Sequence, residues 1–520
     1  MSSAIGVPSH TLSWFGRVNY SYLGRYLVTA TMRADGSSKF SKGNQWGYFP
    51  AAAVAWRLSD APFMEGARSW LDNLKFRFSI GTSGNDGIDD SAFYTTWVPS
   101  STTVNGQTVT TYKPGALLGN PDLTWETTTS RNIGIDYSFF NGKINGALDF
   151  YWNSTKDCLM RVPIDPTAGA SYWMQNVAKT SNKGAELSLN YNAVRTKDFD
   201  LTVGVTYNFN HNNVDDLADG VLASAHTGWG STMSIPYYDY IVKEGEPVGL
   251  IQGFNSLGYY TVDDFNVVDG VWTLKEGVAD TKVGNWAGGS YYNIPKGQTA
   301  FPGVAKFEDT DGDGTVTEDD ATIIGRAQAQ HTGGFNINAR YKNIDFSAGF
   351  TYQIGGKVYN ANVMHDMMGN KDTGLGYNRL AELSDCWQMF NVNANGDLYA
   401  VTDPAELASL NAAAKYALPY SEYGIVSSEF VEDASYLRLQ TLTVGYTFPK
   451  SIIKKAGLSN LRVYFTGGNL FCLKGYSGID PDVNVSPSVD SSYSGFPTPN
   501  YDYHSYPKAR TFTFGINVAF

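Results

Sequence analysis

The stretch of this chain best equipped for chemistry is Asp309-Thr-Asp311-Gly-Asp313-Gly314-Thr315-Val-Thr317-Glu-Asp-Asp320. Asp at positions 1, 3 and 5 sets carboxylates around one centre, Gly at position 6 permits a sharp turn, and Thr315 at position 7 offers its backbone carbonyl. The spacing predicts a calcium loop with Asp309, Asp311, Asp313, Thr315 and Asp320 as ligands. Asp320, at position 12, is shorter than the usual Glu, which weakens bidentate closure. Pro302-Gly303 precede the loop and a strand follows it, so flanking helices are not expected, and a single copy does not suggest the paired loops of a dockerin. The competing reading is an Asp/Gly-rich turn with solvated carboxylates. Catalytic spacing is otherwise lacking. The six histidines (His10, His211, His226, His331, His365, His504) form no zinc pattern, and there is no Gly-x-Ser-x-Gly elbow. Loop acids such as Asp215, Asp216, Asp263 and Asp264 read as a solvated face rather than a glycosidase pair. No enzymatic activity is expected.

The elements that must position this loop are strands of one recurring kind. Phe512, Phe514, Ile516, Val518 and Phe520 alternate with Thr511, Thr513, Gly515, Asn517 and Ala519. Successive side chains of a strand point to opposite faces, so one face is apolar and the other polar. The same split recurs at Ile133–Phe139, Leu201–Phe209 and Ile344–Tyr352. Read by period two, strands fall at 11–22, 25–34, 46–58, 71–82, 125–139, 142–153, 183–195, 199–211, 331–342, 343–354, 433–448, 459–469 and 508–520. Short or compact connections alternate with long polar segments at 83–124, 154–182, 212–330, 355–432 and 470–507. Strands of this length, with short turns on one rim and long loops on the other, predict an all-β fold. It is an antiparallel transmembrane β-barrel with periplasmic turns and extracellular loops. A soluble array of sandwiches or blades would also alternate, but not with that asymmetry. Arg17, Asn19, Lys75, Arg77, Asn336, Asn338 and Arg340 then fall on the water-filled side, opposite uncharged neighbours facing outer-membrane lipid.

Composition narrows the class further. Aromatics make up 14% of 520 residues, with 34 Tyr and 12 Trp, which suits interfacial girdles. No apolar run approaches 18 residues, which excludes a spanning helix but not a barrel. A net charge of −12 argues against a nucleic-acid partner. Cys158, Cys386 and Cys472 are too scattered for a disulfide framework or metal cluster; a Cys386–Cys472 pair is conceivable, and unpaired thiols are the expectation. Met1–His10 has no secretory signal pattern. The last strand of an outer-membrane barrel ends in the periplasm, so counting back thirteen starts the first strand outside. Both points suggest the C-terminal part of a longer precursor, and the fragment alone should not form a working pore.

Several segments resemble the SusC/RagA-type TonB-dependent outer-membrane transporters of the Bacteroidetes. They are Arg25-Tyr-Leu-Val-Thr-Ala-Thr-Met-Arg-Ala-Asp-Gly-Ser-Ser-Lys-Phe40 with Trp46-Gly-Tyr-Phe-Pro50, Gly119-Asn-Pro-Asp-Leu-Thr-Trp-Glu126, and Asp309–Gly314 leading to Ile324-Gly325. Near the end come Ser435-Tyr-Leu-Arg-Leu439, Asn469-Leu470, Tyr506-Pro-Lys-Ala-Arg510 and the closing aromatic strand. The resemblance implies a plugged barrel of about 22 strands, of which this chain carries about thirteen. The family's signal peptide, carboxypeptidase-like domain, TonB-contacting segment and plug are not in it. It also implies uptake of oligosaccharides or oligopeptides, driven through the TonB complex with a SusD-like surface lipoprotein as lid, and a last strand read by the assembly machinery. Lid or cargo contacts are expected on the loops at 212–330 and 355–432. Their aromatics include Trp229, Tyr237, Tyr238, Trp272, Trp286 and Trp387, suited to sugar stacking or a protein interface, or else to packing of the loops on one another. The alternative from another class is a surface glycan-binding or adhesin protein with a calcium-stabilised loop and no transport.

Overall fold

The computed structural model describes residues 9–90, 92–217, 224–225, 239–284, 286, 288–366, 380–419, 425–483 and 498–520. Thirteen strands follow one another in a single sheet, each antiparallel to the next: β1 (Thr11–Tyr22), β2 (Tyr26–Ser37), β3 (Trp46–Arg57), β4 (Leu71–Asn85), β5 (Glu126–Phe139), β6 (Ile144–Pro163), β7 (Tyr172–Arg195), β8 (Phe199–Leu217), β9 (His331–Tyr341), β10 (Ile344–Ile354), β11 (Tyr436–Thr447), β12 (Asn460–Lys474) and β13 (Thr511–Ala519). Among the described residues β1 pairs only with β2 and β13 only with β12, so the sheet is an open part of a barrel wall.

Register explains why alternation was legible. Directly opposed residues share a face, and through the middle of the wall apolar opposes apolar. Val203 faces Ile337, which faces Ala348, which faces Leu442. One residue along, Thr202 faces Asn338 and Asn338 faces Ser347. On the apolar face, Trp14, Val54, Phe78, Phe346 and Phe514 are all exposed, as a lipid-facing wall requires. At the short-turn rim this face ends in a girdle of rings. Tyr22 and Tyr26 lie 6.4 Å apart, Tyr26 and Trp56 6.4 Å, and Trp70 and Phe139 6.0 Å. The turns between use backbone that L-residues rarely adopt: Leu23-Gly24 and Asn141-Gly142 all have positive φ, which Gly takes without steric cost.

The opposite face carries the charges, and they neutralise one another across strands. Arg77 reaches Asp136 at 2.8 Å and Asp149 at 3.0 Å, and Lys75 reaches Asp136 at 3.2 Å. Arg340 pairs with Asp200, and Arg462 with Asp345 at 2.5 Å. Lys75, Arg77, Asn336, Asn338 and Arg340 thus sit on the face predicted for them. So do Arg17 and Asn19, which bond to Thr31 and Thr29.

Three loop assignments are corrected. The segment 154–182 is not a long loop: β6 and β7 continue through it and turn only at 164–171. Above the lipid neither face has to be apolar, so alternation lapses while backbone pairing goes on. β6, β7 and β8 have 20, 24 and 19 residues. About 9–11 suffice to cross a bilayer, so this side of the wall projects roughly 30 Å into water. The loop expected at 212 likewise starts after Leu217, and that at 470 after Lys474.

The described residues of the remaining long segments are folded. Described residues within 239–326 and 355–435, together with Tyr501, share one hydrophobic core built on Ile251, Phe254, Tyr260, Phe301, Tyr359 and Leu407. Short pairings staple it, among them Leu250–Gly253 with Thr322–Arg326 and Lys357–Asn360 with both Val431–Asp433 and Tyr501–Asp502. The extracellular rim therefore carries a packed loop domain on the wall.

Candidate functional site

The Asp-rich loop is strapped to this domain by the parallel pairing of Thr315–Val316 with Asp280–Thr281. Val316 is buried in the core while Asp311 and Asp313 stay at the surface. Its turn is made by its own carboxylates. Asp309 accepts from the amides of Gly312 and Gly314, both at 2.8 Å; Asp311 accepts from Asp313 at 3.0 Å, and Asp313 from Thr315 at 2.7 Å. One carboxylate oxygen from each of Asp309, Asp311 and Asp313 lies within 4.8 Å of the others, a spacing that fits a hard cation bound by oxygens. The amide of Asp313 favours the Asp311 anion, but desolvation and repulsion from Asp313 and Asp320 outweigh it, so this carboxyl sits above its ordinary range. A cation would relieve that repulsion.

Asp320 requires a correction. It is 1% exposed and closes the loop rather than joining the trio. It accepts from the Thr310 amide at 2.7 Å, the Thr310 hydroxyl at 3.1 Å and the Thr317 amide at 2.8 Å. Burial would raise its pKa, but the hydrogen bonds from Thr317 and Thr310 prevail and lower it. A side chain one methylene shorter than Glu is thus committed to a short turn, in a capping box with Thr317.

The aromatic residues divide differently from expectation. Trp272 is 1% exposed, set edge-on to Phe265 at 5.8 Å and to Tyr292 at 5.6 Å. Trp286 is buried and donates to the Val283 carbonyl at 3.1 Å. Trp387 is buried beside Tyr259, 5.3 Å away, over Gly303, where any Cβ would strike its ring. These three hold the loop domain together and present no face to a ligand, because a loop domain this size needs large rings for its own core. Trp229, Tyr237 and Tyr238 lie outside the described residues. Tyr291 of the same domain is open to solvent, and a further pair of exposed aromatics lies elsewhere. Within 86–125 a hairpin pairs Trp97–Val104 with Gln107–Pro114, and Trp97 and Tyr112 are 62% and 67% exposed on one face of it. Its sequence signal was the Asn105-Gly106 turn between Thr/Val-rich runs. The three cysteines are free thiols.

Three of the segments carrying the family resemblance, at 25–40, 46–50 and 119–126, converge in space. Phe40, Leu123 and Met174 form a small core against Trp125, whose indole donates to the Gln45 carbonyl at 3.1 Å. Phe49 packs edge-on to Trp125 at 5.5 Å, over Gly47 and Gly84, where a Cβ would collide with its ring. Ser37 bonds to Asp86 at 2.7 Å. These residues lock the β2–β3 connection to the loop before β5.

Comparison with known proteins agrees with this architecture. The family model described as TonB dependent receptor-like, beta-barrel, matches residues 5–360. The chain is 30% identical over 517 residues to TonB-dependent receptor P3 of Formosa agariphila, covering 98% of this chain and 45% of that protein. It is 31% identical over 528 residues to TonB-dependent receptor SusC of Bacteroides thetaiotaomicron, covering 100% of this chain and 44% of that one. The chain thus spans about half the length of the curated relatives it matches. The solved structure of the RagAB peptide transporter has the same fold, with a TM-score of 0.71 at 22% identity over 98% of this chain and 48% of that one. The wall with one apolar face, the folded extracellular loops and these matches lead to one conclusion: the chain belongs to the family of TonB-dependent receptor β-barrels of the outer membrane.

Proposed function

We propose that this chain forms the wall and extracellular loop domain of an outer-membrane nutrient importer of the SusC type. It is energised through TonB, works with a SusD-like surface lipoprotein, and takes up oligosaccharides or oligopeptides. The observation that supports this best is the thirteen-strand sheet with lipid-compatible side chains on one face and self-neutralised charges on the other. It is the lining of an aqueous passage through a membrane. A binding protein without transport has no use for an outward apolar face spanning all thirteen strands. No covalent chemistry is assigned to the chain. Deleting its gene in the native host is expected to abolish growth on one class of polymer, either oligosaccharide or oligopeptide, and deleting TonB to do the same. Unchanged growth on every cargo would overturn the importer.

The Asp309, Asp311 and Asp313 loop is read as a calcium site of structural use, with Asp320 closing the turn beneath it. Three carboxylates together with water and backbone oxygens suffice for such a hard cation. Treating the intact protein with EDTA is expected to make 309–320 a site of proteolytic cleavage, and calcium to restore its resistance. Identical digestion patterns with and without chelator would remove the site.

A further inference from the structure

Between the loop that starts after β10 and the loop that starts after β12 lies a cavity of about 740 Å³, a size that takes a small ligand or part of a larger one. Its wall joins apolar surface from Leu380 and Ile479 to the four carboxylates of Glu382, Glu429, Glu432 and Asp502, with no Lys or Arg among the described lining residues. His504 is the one lining group there able to carry positive charge.

The four acids are not equally satisfied. Glu432 accepts from the Asn360 amide group at 2.7 Å and from the backbone and hydroxyl of Ser477, both at 2.6 Å. Asp502 is 3% exposed and accepts from the hydroxyls of Tyr476 and Ser505, each at 2.6 Å. Neutral donors orient a buried anion without cancelling its charge, and a buried charge without a counter-charge is costly. The carboxylates of Glu382 and Glu429, both exposed at the cavity, accept no hydrogen bond from any described residue. Glu429 is open to the cavity yet hemmed in by protein, and that desolvation pushes its carboxyl above the ordinary range. A metal ion does not answer this demand. Among the described residues only Asp309, Asp311 and Asp313 bring three such ligand atoms within 4.8 Å, so no three of the cavity acids close around one ion.

We infer that this cavity binds an organic cation of the imported cargo, an ammonium or guanidinium group on an apolar stem. The inference rests on the importer reading and gives it a ligand chemistry. The charged group meets Glu382 and Glu429 while the stem lies along Leu380 and Ile479, as long cationic side chains do on apolar surface.

The two sources of such a group, a basic peptide and an amino sugar, are separable by experiment. The intact protein, purified from outer membranes in detergent, is titrated calorimetrically with trilysine, glucosamine trimer, trialanine, N-acetylglucosamine trimer and calcium. One charged trimer is expected to bind and the neutral ones not, and the tighter of the two names the source. The double variant Glu382→Gln/Glu429→Gln is expected to weaken it about tenfold, the scale of hydrogen bonds to charged groups. Equal binding of charged and neutral trimers, an unaltered Kd in the variant, or competition by calcium alone overturns the site. Uptake of the labelled trimer by cells is scored separately. Binding without uptake sinks the importer and leaves the site, whereas uptake with an unaltered Kd in the variant does the reverse.

Discussion

Replacing Arg438 with alanine is expected to cost about 3–5 kcal/mol of local stability and to release the loop that follows β12. Arg438 lies on β11 and meets Asp480 in a two-point pair, at 3.0 Å and 2.5 Å, with side chains only 6% and 10% exposed. Its guanidinium also lies over the Tyr436 ring, 5.3 Å from the centroid. Burial would raise the pKa of Asp480, but Arg438 prevails and holds it below the ordinary range. The folded value is thus depressed, so the contribution is present at neutral pH and is lost as pH falls through that lowered value. Without Arg438 the carboxylate is a buried anion with one backbone donor, the Asp482 amide at 3.0 Å. Limited proteolysis of the intact protein should then cut between 475 and 510, at rates raised by two or more orders of magnitude. The double replacement Arg438→Met/Asp480→Leu should recover much of the resistance, because two apolar groups of similar shape leave no charge stranded. Unaltered digestion of the single variant would show that the loop is held by something else.

That pair illustrates what a single sequence can and cannot disclose. Ser435-Tyr-Leu-Arg438-Leu439 stood out as a segment of family resemblance, yet its partner at Asp480 is 42 residues away and follows no local period. The wall was legible because lipid imposes one rule on every strand: β1, β9 and β10 were placed within a residue at each end. Where strands leave the lipid the rule stops, which is why the upper halves of β6 and β7 read as loop. The loop domain hid its order for a related reason. Trp272, Trp286 and Trp387 lie in polar, Gly-rich sequence, and burial there is decided by how separate segments pack together, such as Trp387 over Gly303 or Tyr240 bonded to the Pro499 carbonyl at 2.9 Å. Composition could not tell a packed ring from a waiting one. The Asp-rich loop was half legible: side-chain spacing gave the trio, but the turn that takes Asp320 inward depends on donors from Thr310 and Thr317.

If the wall faces lipid as its register states, Ile337→Arg and Asn338→Arg must behave oppositely although the positions are adjacent. Ile337 lies mid-strand between Val203 and Ala348 on the apolar face. Asn338 lies between Thr202 and Ser347 on the other face, its side chain accepting from the Ser347 hydroxyl at 2.7 Å. An arginine on the lipid face near mid-bilayer costs about 2–4 kcal/mol, roughly a 30- to 700-fold fall in the folded-to-unfolded ratio. At the neighbouring position the same side chain enters water beside the Arg340–Asp200 pair, and the expected change is under about 1 kcal/mol. The measurement is the fraction of full-length protein assembled in the outer membrane and resistant to added protease, compared between the two variants. Because side chains alternate with a period of two, a slip of one residue would exchange the two results, and a soluble sheet buried on one face would penalise Ile337→Arg even when no lipid is present. Repeating the comparison in lipid vesicles of increasing thickness separates these cases. A penalty that grows with hydrocarbon depth belongs to the membrane, and one indifferent to it would remove the physical basis for a transmembrane wall.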